Sequence, residues 1–324
     1  MGQRNKPYAG QGWMHRLRKA VRPGLAPALA AVVLLGACDI APTTTRPSTD
    51  AESTARSGES LRLEKYYASV QQRLVSQGLL RTDGGGADTP FGQAALVENF
   101  ERIALYDEYA IVNGRFVAQQ TPSRLRRWDR PIRIGLVFGA YVSDAQRAAD
   151  RAEVVAYAKR LSRLTGVPIS VSNNNANFHI LFLHRDDTRT VGPQLQTQVP
   201  QINQVVMDEI ANSPRNNFCV AYAFSDPKND SAYSSAIILI KAEHQPLMRR
   251  SCIHEEMAQA MGLANDSPKA RPSIFNDDEE FALLTHHDEV LLKMLYDTRL
   301  RIGMTPAEAR PILPRVAANA LGGS

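Results

Sequence analysis

The sequence predicts an α+β fold built on a mixed, twisted sheet, and three observations carry that expectation. Short apolar or alternating segments rich in β-branched and aromatic residues recur at 131–138, 169–172, 178–183, 218–224 and 236–240. One long amphipathic helix, 144–164, separates the first two, with Val154, Ala158, Leu161 and Leu164 on one face. Helices close the chain, two of them announced by capping boxes at Thr285–Asp288 and Thr305–Glu308.

The chain has 324 residues, room for one medium domain with additions. Residues 1–38 read as a secretory leader. Arg4, Lys6, Arg16, Arg18, Lys19 and Arg22 precede Cys38 with no acidic residue among them, and Met14 offers a second start. Removing those six charges takes the formal net charge from +5 to −1, so the basicity of the whole chain is no footprint for nucleic acid. The apolar run from Leu25 to Leu35 is interrupted by Pro27 and is too short to span a bilayer. It ends in Leu35-Gly36-Ala37-Cys38, which resembles a bacterial lipobox, where cleavage leaves the Cys carrying the lipid. The expected location is therefore the bacterial cell envelope, facing the periplasm, with the membrane as the first partner. Asp39 resembles an inner-membrane retention signal of enteric bacteria, which leaves inner and outer membrane both open.

Residues 39–60, rich in Pro, Thr and Ser, bury too little apolar surface to order themselves and read as a tether. Residues 61–127 read as a helical region. Leu63, Tyr67, Val70 and Leu74 recur at helical spacing, as do Leu96, Phe100 and Ile103, with Asp83-Gly84-Gly85-Gly86 as the break. The main domain is expected over 128–300, with a further short helix at 205–210 and one around 253–261, and 301–324 forms a C-terminal helix and tail. After lipidation two cysteines remain, Cys219 and Cys252. In an oxidising compartment they are expected to pair rather than stay as buried thiols. Closing that loop stabilises a fold by about 3–4 kcal/mol in the chain-entropy account.

The most distinctive stretch is Glu255-Glu256-Met-Ala-Gln259-Ala-Met-Gly262-Leu-Ala-Asn265-Asp266. Its plain reading is the acidic first turn of a helix, with Gly262 as the C-terminal cap and Asn265-Asp266 in the next turn. It also resembles the metzincin helix H-E-x-x-H-x-x-G-x-x-H with its histidines replaced. In that resemblance Glu255, Gln259 and Asn265 stand at the three metal-ligand positions, Glu256 at the general base and Gly262 at the turn. Further pieces resemble the matrixin branch. The order strand, backing helix, strand, strand runs through Ile132–Val137, the helix ending near Leu164, Gly166-Val-Pro-Ile169 and Asn177–Phe182. Pro272-Ser273-Ile274-Phe275 falls at the turn beneath the metal, with Phe275 at the Met position, and Leu284–Tyr296 is similar to the closing helix. The likeness covers roughly 130–297 and implies a zincin-like domain. The strings from Glu255 to Asp266, Pro-Ser-Ile-Phe-Asn-Asp and Gly303-Met-Thr305 are also similar to a proteobacterial family known as a domain of unknown function, many of whose members look like lipoproteins.

Ligand chemistry argues against zinc at this helix. A carboxylate ligates zinc, but the carboxamides of Gln259 and Asn265 are weak, hard donors where zinc favours imidazole and thiolate. With Asp266 the set suits a harder divalent cation better, yet calcium wants more oxygens than one helix supplies. A shifted frame starting at His254 puts Ala258 in the second ligand position and fails, and His286 and His287 read as residues of a surface helix. Asn173–Asn175 reads as a turn and Asp277–Glu280 as a solvated loop. Three functions follow from the whole. One is a lipid-anchored protein whose cleft, lined by the strand 236–240, binds a peptide or protein by strand addition. Another is an atypical metal-dependent peptidase using Glu256 as base. The third is a structural envelope lipoprotein.

Overall fold

The computed structural model describes residues 8–10, 55–112, 115–199 and 202–322. A short strand β1 (Tyr8–Gly10) comes first. Helix α1 (Gly58–Ser76) is capped by the Ser57 side chain, and α2 (Gln93–Leu105) follows the Gly-rich break. Both helices send their apolar stripes, Tyr67, Val70 and Leu74 from one and Leu96, Phe100 and Ile103 from the other, into the same core as the rest of the chain. Helix α1 begins inside the stretch 39–60 expected as a tether, of which 39–54 lie outside the described residues. The stretch 61–127 is not wholly helical: β2 (Tyr106–Val112) and β3 (Arg115–Pro122) form an antiparallel hairpin.

The sheet is assembled from β4 (Arg127–Trp128), β5 (Ile132–Phe138), β6 (Ile169–Val171) and β7 (Phe178–Leu183), joined later in the chain by β8 (Cys219–Asp226) and β9 (Asn229–Lys241). Helix α3 (Asp144–Thr165) links β5 to β6, starting at the Ser143 cap and ending at Gly166 with φ 74°. That left-handed stop is one a glycine adopts without steric cost. Across the sheet the order is β1-β8-β9-β7-β5-β6, with β4 also pairing β9. The strands from β6 to β9 run parallel, and β8 is antiparallel to β9. The sheet is therefore mixed, as its sequence suggests.

Both faces of the sheet are covered, which explains the unbroken apolar run of β7. One face, with Phe178, Ile180, Phe182, Ile238 and Ile240, belongs to the large core that also takes in α3, α7 (Pro246–Gln259) and α8 (His286–Leu295). The other face, with Leu181, Leu183, Ile237, Leu239 and Tyr222, packs under residues from α5 (Gly192–Gln198) and α6 (Gln204–Asn212), which follow the single turn α4 (Arg185–Thr188). The capped turn α9 (Pro306–Ala309) and the helix α10 (Leu313–Gly322) are the last described elements. No helix of the described residues is long and apolar enough to cross a membrane.

One expectation about the sheet needs correcting. The strand 236–240 lies between β7 and β8 and has hydrogen-bonded neighbours on both sides, so it cannot accept an added strand. Beyond it lies β8, which pairs on its other side with the border strand β1 through Tyr8↔Ala223, Ala9↔Tyr222 and Gly10↔Ala221.

Candidate functional site

Helix α7 begins at Pro246, where a missing N–H costs nothing, so Glu255 and Glu256 do not lie in its first turn. They sit near its C-terminal end, where the helix dipole disfavours a carboxylate. Both are nonetheless buried, at 3 % and 0 % exposed. Three side chains hold the helix rigidly. The Tyr157 hydroxyl donates to the His254 carbonyl at 2.9 Å, the Trp128 indole to the Ala260 carbonyl at 2.8 Å, and the Tyr296 hydroxyl to the Met261 carbonyl at 2.9 Å. The last two satisfy carbonyls just past the helix end.

Gly262 ends the run for a steric reason. Its φ is 124°, and a Cβ there would stand 2.2 Å from the Arg126 carbonyl oxygen. The turn and the close approach of the Arg126 backbone both require a residue without a side chain.

The disulfide between Cys219 and Cys252 is present, with its Cα atoms 5.8 Å apart. It ties the start of β8 to the middle of α7. Through it Cys219 Sγ and one carboxylate oxygen each from Glu255 and Glu256 come within 4.8 Å of one another. Gln259 lies one turn further along the same helix. It is 2 % exposed, and neither its amide nitrogen nor its amide oxygen has a hydrogen-bond partner. A buried amide left so costs on the order of 1–3 kcal/mol.

Asn265 is not brought into this cluster as a donor. Its side chain gives a hydrogen bond to the Arg102 carbonyl at 3.0 Å and accepts one from the Asp266 N–H at 2.9 Å, while its own N–H reaches the Ile103 carbonyl. It clips the loop after α7 to the end of α2. Phe275 is fully buried in the turn that follows, where its carbonyl accepts from the Ser267 N–H.

The donor set does not fit zinc. The nearby sulfur is in a disulfide and is no thiolate, one ligand position is a carboxamide, and the third has its side chain committed to backbone groups. Cys38 and Asp39 lie outside the described residues.

The histidines serve the scaffold. His254 points away from Glu255, stacking on Tyr157 with ring centroids 4.0 Å apart. Its Nδ1 accepts from the Leu284 N–H at 3.0 Å, which leaves Nε2–H to donate to Glu153 at 2.9 Å. Burial lowers the imidazole pKa, against the pull of Glu153, and the His254 hydrogen bond in turn lowers the Glu153 carboxyl. His287, expected on a surface helix, is fully buried beside Asn99 and Asp288, whereas His286 is exposed. Asp288 accepts from the Ser273 hydroxyl, the Ile274 N–H and both the N–H and hydroxyl of Thr285. The capping box seen in the sequence is thus also the knot that fastens the Phe275 turn to α8.

Sequence reasoning misses two participants. The small residues Ala221 and Ala223 follow Cys219 on the α7 side of β8. The clamps Trp128, Tyr157 and Tyr296 read in the sequence only as apolar pattern.

Comparison with known proteins gives one match. A family model described as a protein of unknown function (DUF2927) covers residues 93–315. No curated protein and no solved structure matches the chain.

Proposed function

The chain belongs to the DUF2927 family of unknown function, and we propose that it uses a zincin-like domain to hold an extended peptide or protein segment without cutting it. In this proposal the domain is anchored in the bacterial envelope by a lipid on Cys38, after a leader over 1–38 and a tether running to α1. Support for the zincin likeness comes from element order: strand β5, backing helix α3, strands β6 and β7, then the motif helix α7 and the closing helix α8. Support for binding without hydrolysis comes from the donor chemistry at α7. With no metal-polarised water, Glu256 has no nucleophile to activate.

The single observation that carries the peptide reading is strand β8, covered on its outer side by the three-residue β1 and fastened by its disulfide beside the buried Glu255, Glu256 and Gln259. An edge strand offers a row of backbone donors and acceptors, and strand addition is a common way to bind an extended segment. Cleavage before Cys38 removes Tyr8–Gly10 and opens that row.

Hydrogen exchange on the protein purified from its own envelope in detergent tests the proposal. A pool of extended octapeptides should slow exchange in 219–226 and leave 169–171, the opposite edge, unchanged. Unaltered exchange at β8, or peptide cleavage that stops in Glu256→Gln, would overturn it, the latter in favour of a peptidase.

A further inference from the structure

We propose that an open cavity between β5, β7 and α5 binds a neutral saccharide, held by side-chain amides. It lies on the face of the sheet opposite α7, so it stands apart from the peptide-binding reading and goes beyond it.

The sheet sets the cavity's place. Gly135 and Val137 of β5 stand beside His179 and Leu181 of β7, and Leu181 belongs to the core under α5 and α6. Val191, Leu195 and Val199 carry α5 and its ends into that core. Gln194 and Gln198, one position before Leu195 and Val199, share a neighbouring face at i and i+4 and line the cavity. Its floor lies at Gly135, where a Cβ would stand 2.9 Å from the Ala176 Cβ and 3.4 Å from His179 Nδ1. The space left open is about 360 Å³. Small-molecule sites run from about 300 to 1,000 Å³.

The side chains around it select by charge. None of them is acidic or basic apart from His179, in a chain of which 22 % of the residues are Asp, Glu, Lys or Arg. Arg133, on the same face of β5, spends its Nε–H on the Asn175 carbonyl at 2.7 Å. An anion therefore meets no guanidinium or ammonium in the cavity, and a cation meets no carboxylate. Four carboxamides line it instead: Asn173, Asn175, Gln194 and Gln198. The Asn173 Oδ1 accepts from the Leu136 N–H at 2.9 Å, which fixes that amide and leaves its NH2 to donate. Among the described residues, the side-chain amides of Asn175, Gln194 and Gln198 bond to no other group of the protein. His179 is 5 % exposed, and burial lowers its pKa, so the imidazole is neutral. One ring N–H goes to the Ala176 carbonyl, and the other nitrogen is an acceptor. A carboxamide presents a donor and an acceptor side by side, and each hydroxyl of a sugar ring both donates and accepts. An apolar ligand would leave these groups unpaired on its binding.

Calorimetric titration of the full-length protein, in a detergent without a sugar headgroup, tests the proposal. The probes are cellobiose, maltose and N,N′-diacetylchitobiose. Maltose phosphate and deacetylated chitobiose serve as anionic and cationic counterparts. At least one neutral disaccharide should bind with a Kd of about 1 mM or tighter, and the charged pair about tenfold more weakly. Gln194 and Gln198 are exposed, so Gln194→Ala/Gln198→Ala should keep the melting temperature and weaken that binding about tenfold. No heat from any neutral probe, equal affinity for a charged one, or binding indifferent to the double variant would overturn the proposal. Extended octapeptides that slow hydrogen exchange at 173–179 would overturn it too, by assigning the cavity to a peptide. Exchange at 219–226 reports on β8 separately, so the two readings fail by different results.

Discussion

The two faces of helix α7 have the same polar character and opposite states. On one, His254 has both ring nitrogens engaged, stacks on Tyr157 and links α3 to the segment before α8. On the other, Glu255, Glu256 and Gln259 lie equally deep, close to the unfavourable end of the helix dipole, with an amide that bonds to nothing. Folding alone does not place a buried amide where a methionine would pack without cost. The first face is architecture. The second leaves the buried Gln259 amide without a partner, a cost the packing of α7 does not offset.

Substitutions should separate the faces by size of effect. His254→Ala removes the stacked ring and strands the Leu284 N–H, so urea unfolding should show a loss of about 3 kcal/mol. A loss under about 1 kcal/mol would mean the His254 face is not the structural one. Acidification comes next. Burial holds the folded imidazole of His254 below its ordinary 6.5, so its penalty is absent above that pH and grows as pH falls below it. The slope contributed is at most about 1.4 kcal/mol per pH unit. Glu153, whose folded pKa is lowered from 4.5, stabilises above that value and loses its contribution only at lower pH. Stability curves between pH 6.5 and 5 should therefore be shallower in His254→Gln, and parallel curves would contradict the assignment.

Asn265→Ala should cost about 1–2 kcal/mol, because the Arg102 carbonyl loses its donor. Were Asn265 instead a ligand-site residue, its removal would weaken binding and leave stability alone. The smallest effect belongs to Gln259→Met, which removes a buried amide with no partner and should raise stability by about 1 kcal/mol while weakening the binding of extended octapeptides.

Much of this comparison was legible from residues, and the reasons for the rest are physical. Local chemistry announced α3 between Ser143 and Gly166, the boxes at Thr285 and Thr305, and the apolar β7. The disulfide Cys219–Cys252 is the pairing expected of the two cysteines that follow Cys38. What local pattern cannot carry is which partner a residue meets. Asn265 looks like a ligand by spacing, yet it caps a neighbouring helix contributed from 163 residues away. His287 looks solvated by its place in a first turn and is buried because α2 packs across it. Strand 236–240 looks like a cleft wall, but sheet order is a long-range property, and it puts that strand between β7 and β8, inside the sheet. The hairpin β2–β3 carries its own signal, Asn113-Gly114 between the apolar runs 109–112 and 116–118, which the reading of 61–127 as helical passes over.

The central proposal is that α7 holds no zinc, because its buried side chains are carboxylates and a carboxamide. Elemental analysis of the full-length protein purified without a histidine tag addresses it most directly. The account predicts zinc far below stoichiometry, no loss of thermal stability on chelation, and no change in either with Glu255→Ala or Gln259→Ala. Stoichiometric zinc that disappears in those variants, together with any peptidase activity, would contradict it.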